Sequence, residues 1–311
     1  MVSRGLGWGL LLLVAAGGPA AAQSEARKRR NLERKLAMDW VTLAEWTFDY
    51  EEALSVAAEE GKVVFAYFTR SDRPSAYCLK YEQELLTDPD FVAFGDKVVL
   101  FAHVQSGLPE QKHTELLQEK GGSEPPYMVF LDAQGKVLGP PLGDTPEAVA
   151  ASLPHAEALA RLEGKAKSRA EKVALLVAEV LLGRVRTVAE AERRRRAIAG
   201  RTHDEDLAID SAILNLRILS LLREKRVQNE AEAAALGERF YAWYRKGLRP
   251  ARQRAAVAFW NMIRLHGKLA SDPEIYAVGY EGMKSWYGGR PRTAAALRQM
   301  AEELEALRQG R

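Results

Sequence analysis

Hydrophobic and polar positions change rhythm along the chain. From about residue 41 to residue 153, short continuous apolar runs alternate with segments of three-to-four residue spacing. Asp49 is placed to cap a helix over Tyr50–Glu60, with Ala53, Val56 and Ala57 on one face and Gly61 as its stop. Lys62–Thr69 and Val98–Val104 are apolar almost throughout, as strands covered on both faces should be. Between them, Cys78 to Leu86 reads as a helix with Tyr81, Leu85 and Leu86 on its apolar side, and Thr87–Asp90 restarts the chain ahead of Phe91 and Phe94. Gln111–Lys120 reads as a helix ended by Gly121 and Gly122. Pro125–Leu138 reads as a strand and its antiparallel return around the turn Ala133-Gln134-Gly135. Thr145 and Pro146 have the N-cap and first-turn chemistry of a further helix, with Pro154 expected to end it.

From His155 the strand-like runs vanish. Ala, Leu, Arg and Glu dominate, and Gly164, Gly183, Gly200, Gly247 and the Gly288-Gly289 pair punctuate helices. Pro250 and Pro273 mark helix starts, with Asp272 as an N-cap. Ile209, Ile213, Leu216 and Leu219 keep the period of an amphipathic helix. Two successive helical hairpins are expected, near Asn229–Leu269 and Pro273–Leu307, in an array with no nameable repeat consensus.

At 311 residues the chain has room for about two domains at ~150 residues each. The N-terminus reads as a leader: Arg4, then the apolar run Leu10–Ala16, then the small residues Ala20–Ala22, with cleavage expected before Gln23. That run is shorter than a usual membrane-spanning helix. The expectation is an exported protein, periplasmic or extracellular, with an uncleaved anchor as the alternative. The expected organisation is a leader over 1–22, a basic lead-in over 23–40, an α/β domain over 41–153 and an α-helical domain over 154–311. The net charge of +3 makes no case for nucleic acid or for a strongly acidic substrate. One cysteine in the whole chain excludes an internal disulfide.

Cys78, that single cysteine, stands in the first turn of a helix that follows a strand and a polar loop. Unpaired N–H groups and the helix dipole favour a thiolate there. The order of strand, polar loop, Ser75-x-x-Cys78, Lys80-Tyr81-Glu82-Gln83-Glu84, second strand, Pro125-Pro126 strand and Gly135 hairpin resembles the thioredoxin-like superfamily, and within it the secreted branch that carries Trp-Cys-x-x-Cys-Lys. The resemblance covers about Val41 to Leu153 and implies a central mixed sheet flanked by helices. It puts Cys78 on the resolving cysteine, Ser75 on the attacking one and Pro74 on the usual Trp. It puts Pro126 on the cis-proline whose turn brings backbone beside the sulfur and pairs with extended peptide substrate, with Pro125 and Tyr77 beside it. It also places Tyr67 where the resembling enzymes keep a buried acid.

A hydroxyl at Ser75 cannot take over the attack of a thiolate without an adjacent base, and neither a His nor an orienting carboxylate is located by the sequence. Ser75 is then a helix N-cap, and Asp72 a turn residue. Cys78 reads either as a buried small apolar residue or as a lone functional thiol that forms mixed disulfides. The histidines show no metal-ligand spacing, and His103 reads as a core residue within its strand. No cofactor or metal is implied. Arg27–Arg30 and Arg193–Arg196 read as solvated basic faces, with membrane-surface attachment and an anionic partner as the respective alternatives, and the aromatic group Phe240, Tyr241, Trp243, Tyr244, Phe259 and Trp260 as packing between adjacent helices, with a partner-binding groove as the alternative. The expected function is protein or peptide binding on a frame that has lost its dithiol pair; the alternative is a single-thiol redox enzyme using Cys78.

Overall fold

The computed structural model describes residues 19–225, 227–288 and 291–310. Arg4 and Leu10–Ala16 of the expected leader lie outside the described residues. The first helix, α1 (Pro19–Leu36), is followed by a single turn, α2 (Asp39–Thr42), and a two-residue strand, β1 (Trp46–Thr47). Asp49 caps α3 (Tyr50–Glu60) by accepting from the N–H groups of Glu51 and Glu52, and Gly61 ends it at φ 66°. β2 (Val64–Arg70) leads into α4 (Ala76–Lys80), which widens without a break into a π-helical turn over Tyr81–Leu85. Then come α5 (Pro89–Gly95), β3 (Val99–Gln105), α6 (Leu116–Glu119), β4 (Tyr127–Leu131), β5 (Val137–Gly139) and α7 (Pro146–Leu162).

The five strands form one mixed sheet in the order β1-β3-β2-β4-β5. β3 runs parallel to β1 and β2, and β4 runs antiparallel to both β2 and β5. Alternate β2 side chains feed two cores. Phe65 and Tyr67 pack with Leu86, Phe91, Phe94 and the helices that follow the sheet, whereas Val64, Ala66 and Phe68 pack against α3 and α6. Both faces are covered, which is why the run carries no polar alternation.

Two sequence expectations fail locally. Residues 111–115 are loop. The Gln111 side chain turns back to accept from the N–H groups of Ser106 and Gly107 at 2.8 and 3.0 Å, and His113 sits at φ 53°, which a helix cannot use. Pro154 does not end α7. It lies on the exposed side, while Val149, Leu153, Ala156, Leu159 and Leu162 carry the buried stripe straight past it. That packing outweighs the ~3 kcal/mol an interior proline costs.

The remaining helices are α8 (Arg169–Leu181), α9 (Val188–Arg196), α10 (His203–Lys225), α11 (Glu230–Arg245), α12 (Gln253–Leu269), α13 (Pro273–Tyr287) and α14 (Pro291–Arg308). The sheet-side core continues through α7 and α8 to Ile209 and Ile213 of α10, so the helical half is packed onto the sheet. A second core joins α10 to α11, α12 and α13. There Phe240 stacks on Phe259 with centroids 5.4 Å apart, and Arg249 lies over the Tyr244 ring. The basic run of α9 is partly consumed internally: Arg194 pairs with Glu179 and Glu190, and Arg195 with Asp206 and Asp210.

Candidate functional site

β2 delivers Arg70 to the sheet end, and the chain turns at once. Arg70 grips Asp72 with two hydrogen bonds of 2.8 and 2.7 Å, while the N–H groups of Ser71 and Asp72 both donate to the Gln105 carbonyl on β3. This fixes the loop that launches α4. Ser75 is the N-cap of α4, its extended backbone (φ −141°, ψ 109°) letting Oγ accept from the Cys78 N–H at 3.2 Å. Cys78 itself is fully buried, whereas Tyr77 beside it is 75% exposed.

Antiparallel pairing of Phe68 with Tyr127 brings the start of β4 to the same sheet end. The Pro125–Pro126 peptide bond is cis, and both prolines are half-buried. Arg73 of the first loop lies 4.0 Å from Glu124 of the second. Ser75, Tyr77 and Cys78, at the start of α4, and the two prolines thus follow two loops that adjoin at Arg73 and Glu124. β5 pairs with β4 only at Phe130 and Leu131, so its partnering stops short of Tyr127 and Met128.

Beneath α4 lies a group that the sequence did not disclose. Glu82, in the π-helical turn, has a fully buried side chain. Its Oε1 accepts from Tyr67 Oη at 3.1 Å and from Thr69 Oγ1 at 2.5 Å, and its Oε2 from Lys35 Nζ of α1 at 2.6 Å. Burial, then the Glu82 charge, push the Tyr67 hydroxyl well above its ordinary range, so it stays a donor. An acid is present in the core next to this loop, supplied by the helix rather than by the strand. The available signal was the pair Tyr67 and Thr69, two hydroxyls on one strand face, which require an acceptor when buried. Trp40 of α2 closes the other side, its ring 5.8 Å from Tyr67.

Residues 50–155 match the family model described as a thioredoxin-like domain. This part of the chain is a thioredoxin-like domain. No curated protein and no solved structure matches the chain. The thioredoxin-like domain relates the protein to the thiol–disulfide oxidoreductase superfamily, with oxygen at position 75 and sulfur at position 78. Among the described residues, no cluster of three or more His, Cys, Asp or Glu side chains could hold a metal ion.

Two histidines of the domain set a pH dependence. His103 is buried with Nδ1 unpartnered, and burial lowers its pKa and that of the half-buried His155. Below about pH 6.5 the unfolded chain binds protons that these folded-state rings refuse. Their contribution is complete above that pH and is lost as pH falls toward the depressed folded values. Urea midpoints should decline from pH 7 to pH 5, and a His103→Gln/His155→Gln variant should decline less steeply.

Proposed function

We propose that this is an exported protein whose thioredoxin-like domain binds protein or peptide segments and no longer runs a dithiol cycle. The observation that carries this reading is the state of the Ser75–Cys78 pair. The chain's one thiol is enclosed, and the hydroxyl in the attacking place is spent on capping the helix that holds it. A buried thiol behaves as a small apolar residue and is inert. What is left at the surface suits recognition: exposed Tyr77 and Leu79, the half-buried Pro125 and Pro126, and the stretch of β4 past the end of β5. An extended peptide laid there would add a strand by main-chain hydrogen bonds.

Thiol labelling tests the reading. Native protein exposed to iodoacetamide at pH 7–8 should keep Cys78 unmodified for hours, with modification complete only after denaturation. Insulin reduction should stay at background. Rapid labelling of the native protein would favour the single-thiol redox enzyme and defeat the binding reading.

A further inference from the structure

Beside Ser75 the loop and α1 border an open cleft of about 330 Å³. Arg34 and Lys35 of α1 line one wall; Arg70, Ser71, Arg73 and Ser75 line the other. No acidic side chain is among its lining residues. Two of the four cations are already neutralised from outside the cleft, Lys35 by Glu82 and Arg70 by Asp72. The other two are not. Arg34 has the neutral Asn31 amide as its hydrogen-bond partner, and Arg73, 62% exposed, has only a 4.0 Å ion pair with the more exposed Glu124, which solvent screens.

A second observation points the same way. Ser71 is only 6% exposed, and its hydroxyl has no hydrogen-bond partner. An unpaired buried hydroxyl is costly, and here it belongs to the lining of a cationic cleft. The remaining wall is apolar, formed with Met38 and Leu79, the latter 40% exposed.

We infer that this cleft docks an acidic segment of a partner protein: an Asp or Glu carboxylate received by Arg34 and Arg73, and a neighbouring apolar side chain set against Met38 and Leu79. The inference rests on the peptide-binding reading above and names its chemistry. Guanidinium forks match a carboxylate in shape as well as charge. Arg73 links the two parts of the surface, since it lines the cleft and reaches Glu124 of the loop that ends in Pro125 and Pro126. A chain running along β4 can therefore deliver its acidic residue to the cleft. The protein's small net charge of +3 disfavours nucleic acid as the occupant.

The test uses the full chain without its leader against a library of random ten-residue peptides, end-capped to remove terminal charges. Selected peptides are then synthesised with Glu, or with Gln in its place, and titrated by fluorescence anisotropy. Bound peptides should be enriched in Asp or Glu next to an apolar residue, and the Gln versions should bind about ten-fold more weakly, the scale of one charge-assisted hydrogen bond. Arg34→Gln and Arg73→Gln should each cost about ten-fold for the Glu peptide and little for the Gln peptide. Both variants should melt like the parent, since each side chain is exposed. Peptides that bind without acidic enrichment and ignore Arg34→Gln would overturn the cleft while leaving the binding module standing. A library that yields no binder would overturn both. Displacement of the peptide by inorganic phosphate, or by vesicles of anionic phospholipid, at concentrations where chloride has no effect would assign the cleft to another anion and overturn the peptide inference.

Discussion

Lys35→Met lowers the stability of the protein by about 3–5 kcal/mol, the range observed when one partner of a buried ion pair is removed. The Lys35–Glu82 pair is enclosed, the two side chains being 8% and 0% exposed. Methionine keeps the aliphatic stem and its packing but leaves the Glu82 carboxylate with two hydroxyl donors and no countercharge. A carboxylate in that state is strongly disfavoured. The second arm of the experiment is Lys35→Met with Glu82→Gln. The amide oxygen can still accept from Tyr67 and Thr69, and no net charge remains buried. Most of the lost stability should return, because exchanging both members of a buried pair is often close to neutral. Urea denaturation followed by tryptophan fluorescence measures both, with Trp40 and Trp46 stacked edge-on beside the site. Equal losses in the single and double variants would mean that the pair is not what holds α1 against the sheet.

The anchoring of α1 also marks where reading the sequence stopped. Its basic residues read as a solvated face, and in part they are used otherwise: Lys28 donates to the Gly107 carbonyl, Arg29 pairs with Glu110, and Lys35 enters the core. No local pattern distinguishes a lysine that will meet a glutamate 47 positions away from one that stays in water. By contrast, the features legible in the sequence are those whose cause is local. Asp49 and Gly61 bound α3 because a side-chain acceptor and a left-handed residue act within one turn. The apolar continuity of Val63–Phe68 shows a strand covered on both faces, since that pattern fits few alternatives. The Ser75–Cys78 frame was legible for the same reason: strand, loop, cap and helix follow one another directly. Gln111 and Pro154 were misread because side-chain closure of the 106–111 loop and the buried stripe of α7 overrule local propensity.

Glycines of the helical half carry the same lesson in the opposite direction. Gly164, Gly183 and Gly247 do follow helix ends, at positive φ, while Gly200, also at positive φ, lies in the connection between α9 and α10. Gly267 and Gly279 lie inside α12 and α13 and mark where those helices touch. A methyl group added at Gly267 would stand 2.3 Å from the backbone nitrogen of Tyr276, and one at Gly279 would stand 2.4 Å from the nitrogen of Arg264. Each clash is with the main chain of the facing helix, so no rotamer change relieves it. Propensity alone predicts that Gly→Ala stabilises a helix interior by about 1 kcal/mol; overpacking against an unyielding neighbour costs about 1–3 kcal/mol. Backbone contact puts both sites at the upper end, so Gly267→Ala/Gly279→Ala should destabilise by about 4 kcal/mol in total once the propensity gain at each site is set against the clash, with Tyr276 and the Arg264–Glu303 pair pushed out of register. The sign decides: a double variant that melts at or above the parent temperature would show that the two helices do not approach as closely as their glycines allow.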